Sequence, residues 1–434
     1  MVLAGFLIAP AGVALGQGIA RCRPSPDGAN PCPRPLLLPR EQPLSAMAQI
    51  GRSMFFDKQL SGNGRLACAS CHDPAHHYGP SADRAVFLGG DRLDQQGRRA
   101  IPSLTYLDRI PGFSIGPDLS ADDAPPPAIV PPPPGDAAHA PKSAINNAAS
   151  ATNLVPQGGL FWDGRADSLQ QQVLGPLYDH AEMAATPATV LRRIQHAPYT
   201  AQLQLLLGPG GSSDPQQLLS EAQFALARFQ IENRDFHPYS SKFDAWFQGK
   251  ARFTPLEREG YLLFNDPAKG NCAACHVDTA SKEGLPPVFT DHQYEALGAP
   301  RNRELLANRD PAYYDLGVCD RVPDGRQTLA PYCGMFATPS LRNSATRHVF
   351  FHNGVFHTLR QVVDFYVLRD IEPGRFYPRG ADGGVRAYDD LPPDDVKNLD
   401  RTDAPFGGRP GDKAALDGHE RDAIVTFLGT LTDR

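Results

Sequence analysis

Leu66-Ala67-Cys68-Ala69-Ser70-Cys71-His72 and Asn271-Cys272-Ala273-Ala274-Cys275-His276 decide how this 434-residue chain is read. Each stretch contains Cys-x-x-Cys-His. Two thiols at that spacing reach the two vinyl groups on one edge of a porphyrin, while the adjacent histidine bonds the iron from one face. A zinc site would need two further ligands at matching spacing, and Cys319 and Cys333 do not supply them. The motifs therefore predict two covalently attached haem c groups, one on Cys68, Cys71 and His72 and one on Cys272, Cys275 and His276. His72 and His276 are the expected iron ligands. The sixth ligand decides what each haem does, because an open position admits peroxide and a filled one favours electron transfer. Met335, His348, His352, His357 and Tyr366 are the residues available to fill it, and their positions alone do not choose among them.

Outward from the motifs, helical periodicity frames both sites. Leu44, Met47, Ile50, Met54 and Phe55 recur at helical spacing and predict a helix over 44–56. A second amphipathic helix is expected over 217–231. Thr254-Pro255-Leu256-Glu257 reads as an N-cap, a proline at the first helical position and a capping-box glutamate. A last helix is expected over 416–431. Gly51-x-x-x-Phe55 before the first motif is matched by Gly260-x-x-x-Phe264 before the second, and each is followed by an aspartate, Asp57 and Asp266. The same plan is used twice. The expected fold is all-α: two cytochrome c-like haem domains packed face to face, with long irregular loops. Their expected limits are 44–250 and 251–434, after an export signal and irregular tail at 1–43. Pro125-Pro-Pro127 and Pro131-Pro-Pro-Pro134 mark polyproline-type loop.

A net charge of −6 is too mild to imply nucleic acid or an anionic membrane as partner. The apolar run Val2–Gly16 is too short for a confident membrane span and reads as an export signal. Outside the haem motifs, the remaining cysteines form two local pairs, Cys22 with Cys32 and Cys319 with Cys333, which an oxidising compartment would close as disulfides. The expected setting is the periplasm, without a membrane span.

Further blocks surround these motifs: Phe161-Trp162-Asp163-Gly164-Arg165-Ala166, Ala181-Glu182-Met183, Thr338-Pro339-Ser340-Leu341-Arg342-Asn343, Phe351-His352-Asn353-Gly354 and Phe427-Leu428 through Thr432-Asp433. In this combination the chain resembles the bacterial di-haem cytochrome c peroxidase and MauG superfamily. The resemblance implies that the haem on His72 is the peroxide site and the haem on His276 the electron-transfer site. It implies Trp162 as the relay between them and Glu182 as the acid/base carboxylate over the peroxide. It puts Gln172 and Pro176 at the pocket wall, although the run Gln170-Gln171-Gln172 blurs that register. Ordinary peroxidases of the family carry a methionine ligand where this chain has Tyr366, as MauG-like members do; Met335 stays the alternative.

The resemblance also suggests one Ca2+, with Asn147 as a ligand. Its carbonyl ligands would fall at Arg347 and Val349, which are not the residues expected there. The stretch 382–403, with Asp389, Asp390, Asp394 and Asp395, looks like an insertion. The implied activity is reaction with H2O2, fed by a small periplasmic donor (a cytochrome c or cupredoxin) or spent on oxidising a protein partner. The rival is a non-catalytic di-haem electron carrier, which would need a residue such as His76 or His77 to close the first site.

Overall fold

The computed structural model describes residues 22–118, 154–281 and 284–434. The export stretch Val2–Gly16, both polyproline runs and Asn147 lie outside the described residues. Eleven α-helices occur among those described. In the first half these are α1 (Ala46–Phe55), α2 (Leu169–Gln172), α3 (Leu174–Tyr178), α4 (Pro187–Ile194), α5 (Thr200–Ser213) and α6 (Pro215–Glu232). The second half has α7 (Lys242–Phe247), α8 (Pro255–Asn265), α9 (Gly325–Thr328), α10 (Leu359–Leu368) and α11 (Gly418–Gly429). The described residues also hold three two-stranded antiparallel ladders and a series of short 3-10 turns, so this part of the chain is helix-rich with few strands.

The helix starts follow from local chemistry. Thr254 and Glu257 form the expected capping box with Pro255 at the first position of α8. Thr358 with Gln361 and Asp417 with Glu420 do the same for α10 and α11.

The repeated Gly-x-x-x-Phe has a packing reason. Helix α1 crosses α6, and α8 crosses α11. A Cβ on Gly51 would overlap the Ala225 carbonyl oxygen, and one on Gly260 would overlap the Ala423 carbonyl oxygen. Only glycine lets the two backbones approach this closely. The paired phenylalanines fill the cores beneath. Phe55 packs with Phe229, Phe236 and Tyr78 in the first apolar cluster. Phe264 packs with Phe289 and Phe427 in the second.

The second cluster begins at Phe243, on α7, ahead of residue 251. The irregular chain after residue 22, tied by the Cys22–Cys32 disulfide, is seated on it. The Trp246 indole donates to the Gly28 carbonyl at 3.1 Å, and the Asn30 amide donates to the Trp246 and Phe247 carbonyls. Nearby, Arg342 and Asp244 form a fully buried bidentate pair at 2.8 and 2.9 Å.

Candidate active site

Both Cys-x-x-Cys-His stretches form one tight turn. The His72 amide donates to the Cys68 carbonyl at 3.0 Å, and the His276 amide to the Cys272 carbonyl at 2.8 Å. Each imidazole then bonds a carbonyl through Nδ1: His72 to Tyr78 and His276 to Phe289, both at 3.0 Å. A proton fixed on Nδ1 leaves the lone pair on Nε2, the tautomer an iron requires. None of the four motif cysteines is engaged in a disulfide, in contrast to Cys22–Cys32 and Cys319–Cys333. Desolvation pushes Cys68 and Cys272 up to about 12 and Cys71 up to about 11, the opposite of an activated redox thiolate. Among the described residues no group of three or more His, Cys, Asp or Glu side chains is placed to hold a metal ion. The residues fit covalent haem at both motifs.

One mostly apolar cavity runs beside the second motif and into the first half. Cys272, Cys275, His276 and Tyr366 line one part of it; Leu104, Tyr106, Trp162 and Gln172 line another. Tyr366 stands on α10. Its phenol is pushed far up, first by desolvation and then by Cys275 and Cys272, so it lies within electrostatic reach of the second motif. Its ring stacks on Phe406 at 5.3 Å and Phe351 at 6.1 Å. Met335 does not line this cavity; it packs with Tyr294, Val318 and Leu391 in a separate cluster. His352 does line it, stacked 3.5 Å from Phe336, with Nε2 buried and lacking a hydrogen-bond partner. His348 is exposed, and His357 is tied to Asp83 at 2.5 Å.

Trp162 borders the cavity and joins the halves. Its indole N–H donates to the Ala100 carbonyl at 2.9 Å, and its own carbonyl accepts from the Ala337 amide at 3.0 Å. Next to it, Asp163 accepts from Arg99 at 2.6 Å, and Arg99 also grips Asp315 through two bonds of 2.7 Å. This strut crosses between the halves. It escaped the sequence reading because nothing in the spacing pairs residues 99 and 315.

The glutamine register resolves by partners. Gln170 reaches Ser220 and Gln171 accepts from the Asp167 amide, whereas buried Gln172 faces the cavity. The Pro176 carbonyl accepts from the Met183 amide, and the Glu182 carbonyl accepts from the Gly90 amide, which together fix the 181–183 loop. Glu182 lies near enough to raise the Cys71 thiol. Its own carboxyl is pushed up to about 7, first by desolvation and then by Asp179, against the pull of Arg165. Glu182 keeps exposed surface, so the upward direction matters here more than its size. His76 is held by Asp73 at 2.9 Å, and half-buried His77 sits in left-handed backbone at φ 51. Neither lines the cavity.

Comparison with known proteins follows this geometry. A family model described as di-haem cytochrome c peroxidase matches residues 45–252. The methylamine utilization protein MauG of Paracoccus denitrificans is 31% identical over 401 residues, covering 90% of this chain and 89% of that protein. The cytochrome c551 peroxidase of Nitrosomonas europaea is 26% identical, covering 73% and 72%. Among solved structures, the diheme peroxidase BthA of Burkholderia thailandensis superposes with a TM-score of 0.76 at 34% identity, covering 91% of this chain and 87% of that one.

Proposed function

The chain belongs to the di-haem cytochrome c peroxidase family, and on that premise we propose that it is a MauG-like member whose N-terminal site takes peroxide and whose C-terminal site is closed by Tyr366. As a peroxidase-type di-haem oxidoreductase it works with H2O2 and a protein or cytochrome partner. Haem at the two motifs supplies the iron that accepts oxidising equivalents from peroxide and exchanges electrons.

The chain's own residues divide the remaining tasks. Glu182 takes the proton from the near peroxide oxygen and delivers it to the far one; a carboxyl raised toward neutrality suits both halves of that transfer. Gln172 offers an amide to the shared cavity, which Glu182 does not line, and Pro176 braces the Glu182 loop by accepting from the Met183 amide. Trp162 carries charge between the two sites, its indole oriented by the Ala100 carbonyl. Tyr366 gives the second iron a hard oxygen ligand that favours ferric and higher states, in place of a thioether. His352 sits ready to hydrogen-bond the cofactor through its unpartnered Nε2.

The observation carrying this assignment is that Tyr366 lines the cavity within electrostatic reach of Cys272 and Cys275, while Met335 packs elsewhere. The test is the optical spectrum of the fully ferric protein before and after one equivalent of H2O2 per haem pair. An immediate change in the Soret and visible bands is expected. A protein that stays silent until one haem is reduced is an ordinary peroxidase, and a far-red thioether-to-iron band removes Tyr366 as ligand. A protein binding neither cyanide nor peroxide is an electron carrier.

The two halves are proposed to act as haem domains facing one another across the shared cavity, with limits at 44–250 and 251–434. The proposed location is the periplasm, supported by the Cys22–Cys32 and Cys319–Cys333 disulfides. No helix among the described residues is long and apolar enough to cross a membrane. A small periplasmic cytochrome or cupredoxin is the proposed donor where a protein substrate is not the partner. A calcium ion bound with Asn147 is the last element of the proposal, and elemental analysis of the holoprotein decides it.

A further inference from the structure

Arg347 is a cation that no carboxylate among the described residues neutralises. It lines the shared cavity, and one guanidinium nitrogen donates to the Ile101 carbonyl at 2.9 Å. Another borders Gly79, next to the Tyr78 whose carbonyl orients His72. The Arg347 charge is felt at His72. The other deeply set arginines behave differently. Arg99 holds Asp163 and Asp315, Arg342 holds Asp244, and Arg369 holds Asp370. Among the described residues Arg347 has no such carboxylate, and desolvation alone lowers its pKa to about 10. A guanidinium presents five donors in a rigid fork shaped for a carboxylate, and a single carbonyl leaves most of them idle. A desolvated charge without a counter-charge is strongly unfavourable, so an anion is expected to arrive with the group that His72 binds, whose surroundings Arg347 shares through Ile101 and Gly79. Arg347 retains part of its surface, and its guanidinium beside Gly79 can present its fork to that group.

We infer that Arg347 is the carboxylate clamp of the N-terminal haem site, binding a propionate of the haem attached at Cys68 and Cys71. Its neighbours Ile101, Gly79 and His72 all belong to that site, which selects this haem over the other. The clamp fixes how the macrocycle sits over His72 and keeps a positive charge at its edge, which favours the reduced iron. The inference rests on haem at the first motif and is independent of whether Tyr366 ligates the second.

The test uses holoprotein carrying two haems per chain, without peroxide, and compares R347Q and R347K with the parent. R347Q is expected to shift the reduction equilibrium of one haem toward ferric by about tenfold, roughly 59 mV for a one-electron couple, and leave the other unmoved. Its resonance Raman spectrum should show a displaced propionate bending mode. R347K keeps the charge as a point donor, so the potential should hold near the parent value while the same Raman mode moves. If R347Q fails to mature, the R347K Raman shift still decides. Unchanged Raman modes in either mature variant overturn the inference, as does a potential shift common to both haems.

Discussion

Replacing Glu182 by glutamine keeps the side chain's shape and removes its proton chemistry. The parent carboxyl is raised to about 7 by desolvation first and by Asp179 second. A group that takes the first proton from peroxide must start ionised. A carboxyl raised toward neutrality is only partly ionised near pH 7, and the competent fraction falls as the pH falls. The rate of the ferric protein with H2O2 should therefore climb with pH through about 7 and level off above it. In E182Q the plateau should fall by about 10² or more and the inflection should vanish. Stopped-flow absorbance at the Soret band, from about pH 5 to about pH 9, reads both quantities. An E182Q protein with both haems attached and the parent rate and inflection refutes the proton-transfer role. A lower rate with the inflection intact makes Glu182 a positioning residue instead.

Y366M should exchange an oxygen ligand for a thioether, raising the potential of the C-terminal haem and bringing in a far-red ferric charge-transfer band; near-infrared absorbance with a redox titration checks both. G260A should force α8 away from α11 and cost about 1–3 kcal/mol, with G51A doing the same at the α1–α6 crossing, as read by denaturant unfolding. D244N should strand the buried Arg342 charge and cost about 3–5 kcal/mol, whereas a paired apolar replacement of both residues should recover much of that loss in the same assay.

Much of the molecule was legible because its constraints are local. The haem turns follow from spacing within five residues, the helix start at Thr254 follows from capping chemistry, and the helices that begin after Ser45 and Asp417 follow from apolar periodicity. The Gly51 and Gly260 echo carried a packing message that needed no partner to be seen. Glu182 and Tyr366 are proposed from the surrounding blocks and not from periodicity, since a lone carboxylate or phenol leaves no pattern. Residues whose meaning lies across the chain stayed hidden. Arg99 finds Asp315 only after folding, the irregular segment near Gly28 gives no sign of docking on Trp246, and Arg347 looked like a mismatch until its lack of a counter-charge was visible. The triple glutamine run needed three separate sets of partners to be told apart.

The cavity that both halves wall has a bearing on heredity. Leu104, Tyr106 and Trp162 close it from one side, and Val288, Leu341 and Tyr366 from the other. A gene split between α7 and α8 would yield two fragments, each turning half of an apolar basin to water. Either half on its own would carry an apolar wall that the other half covers.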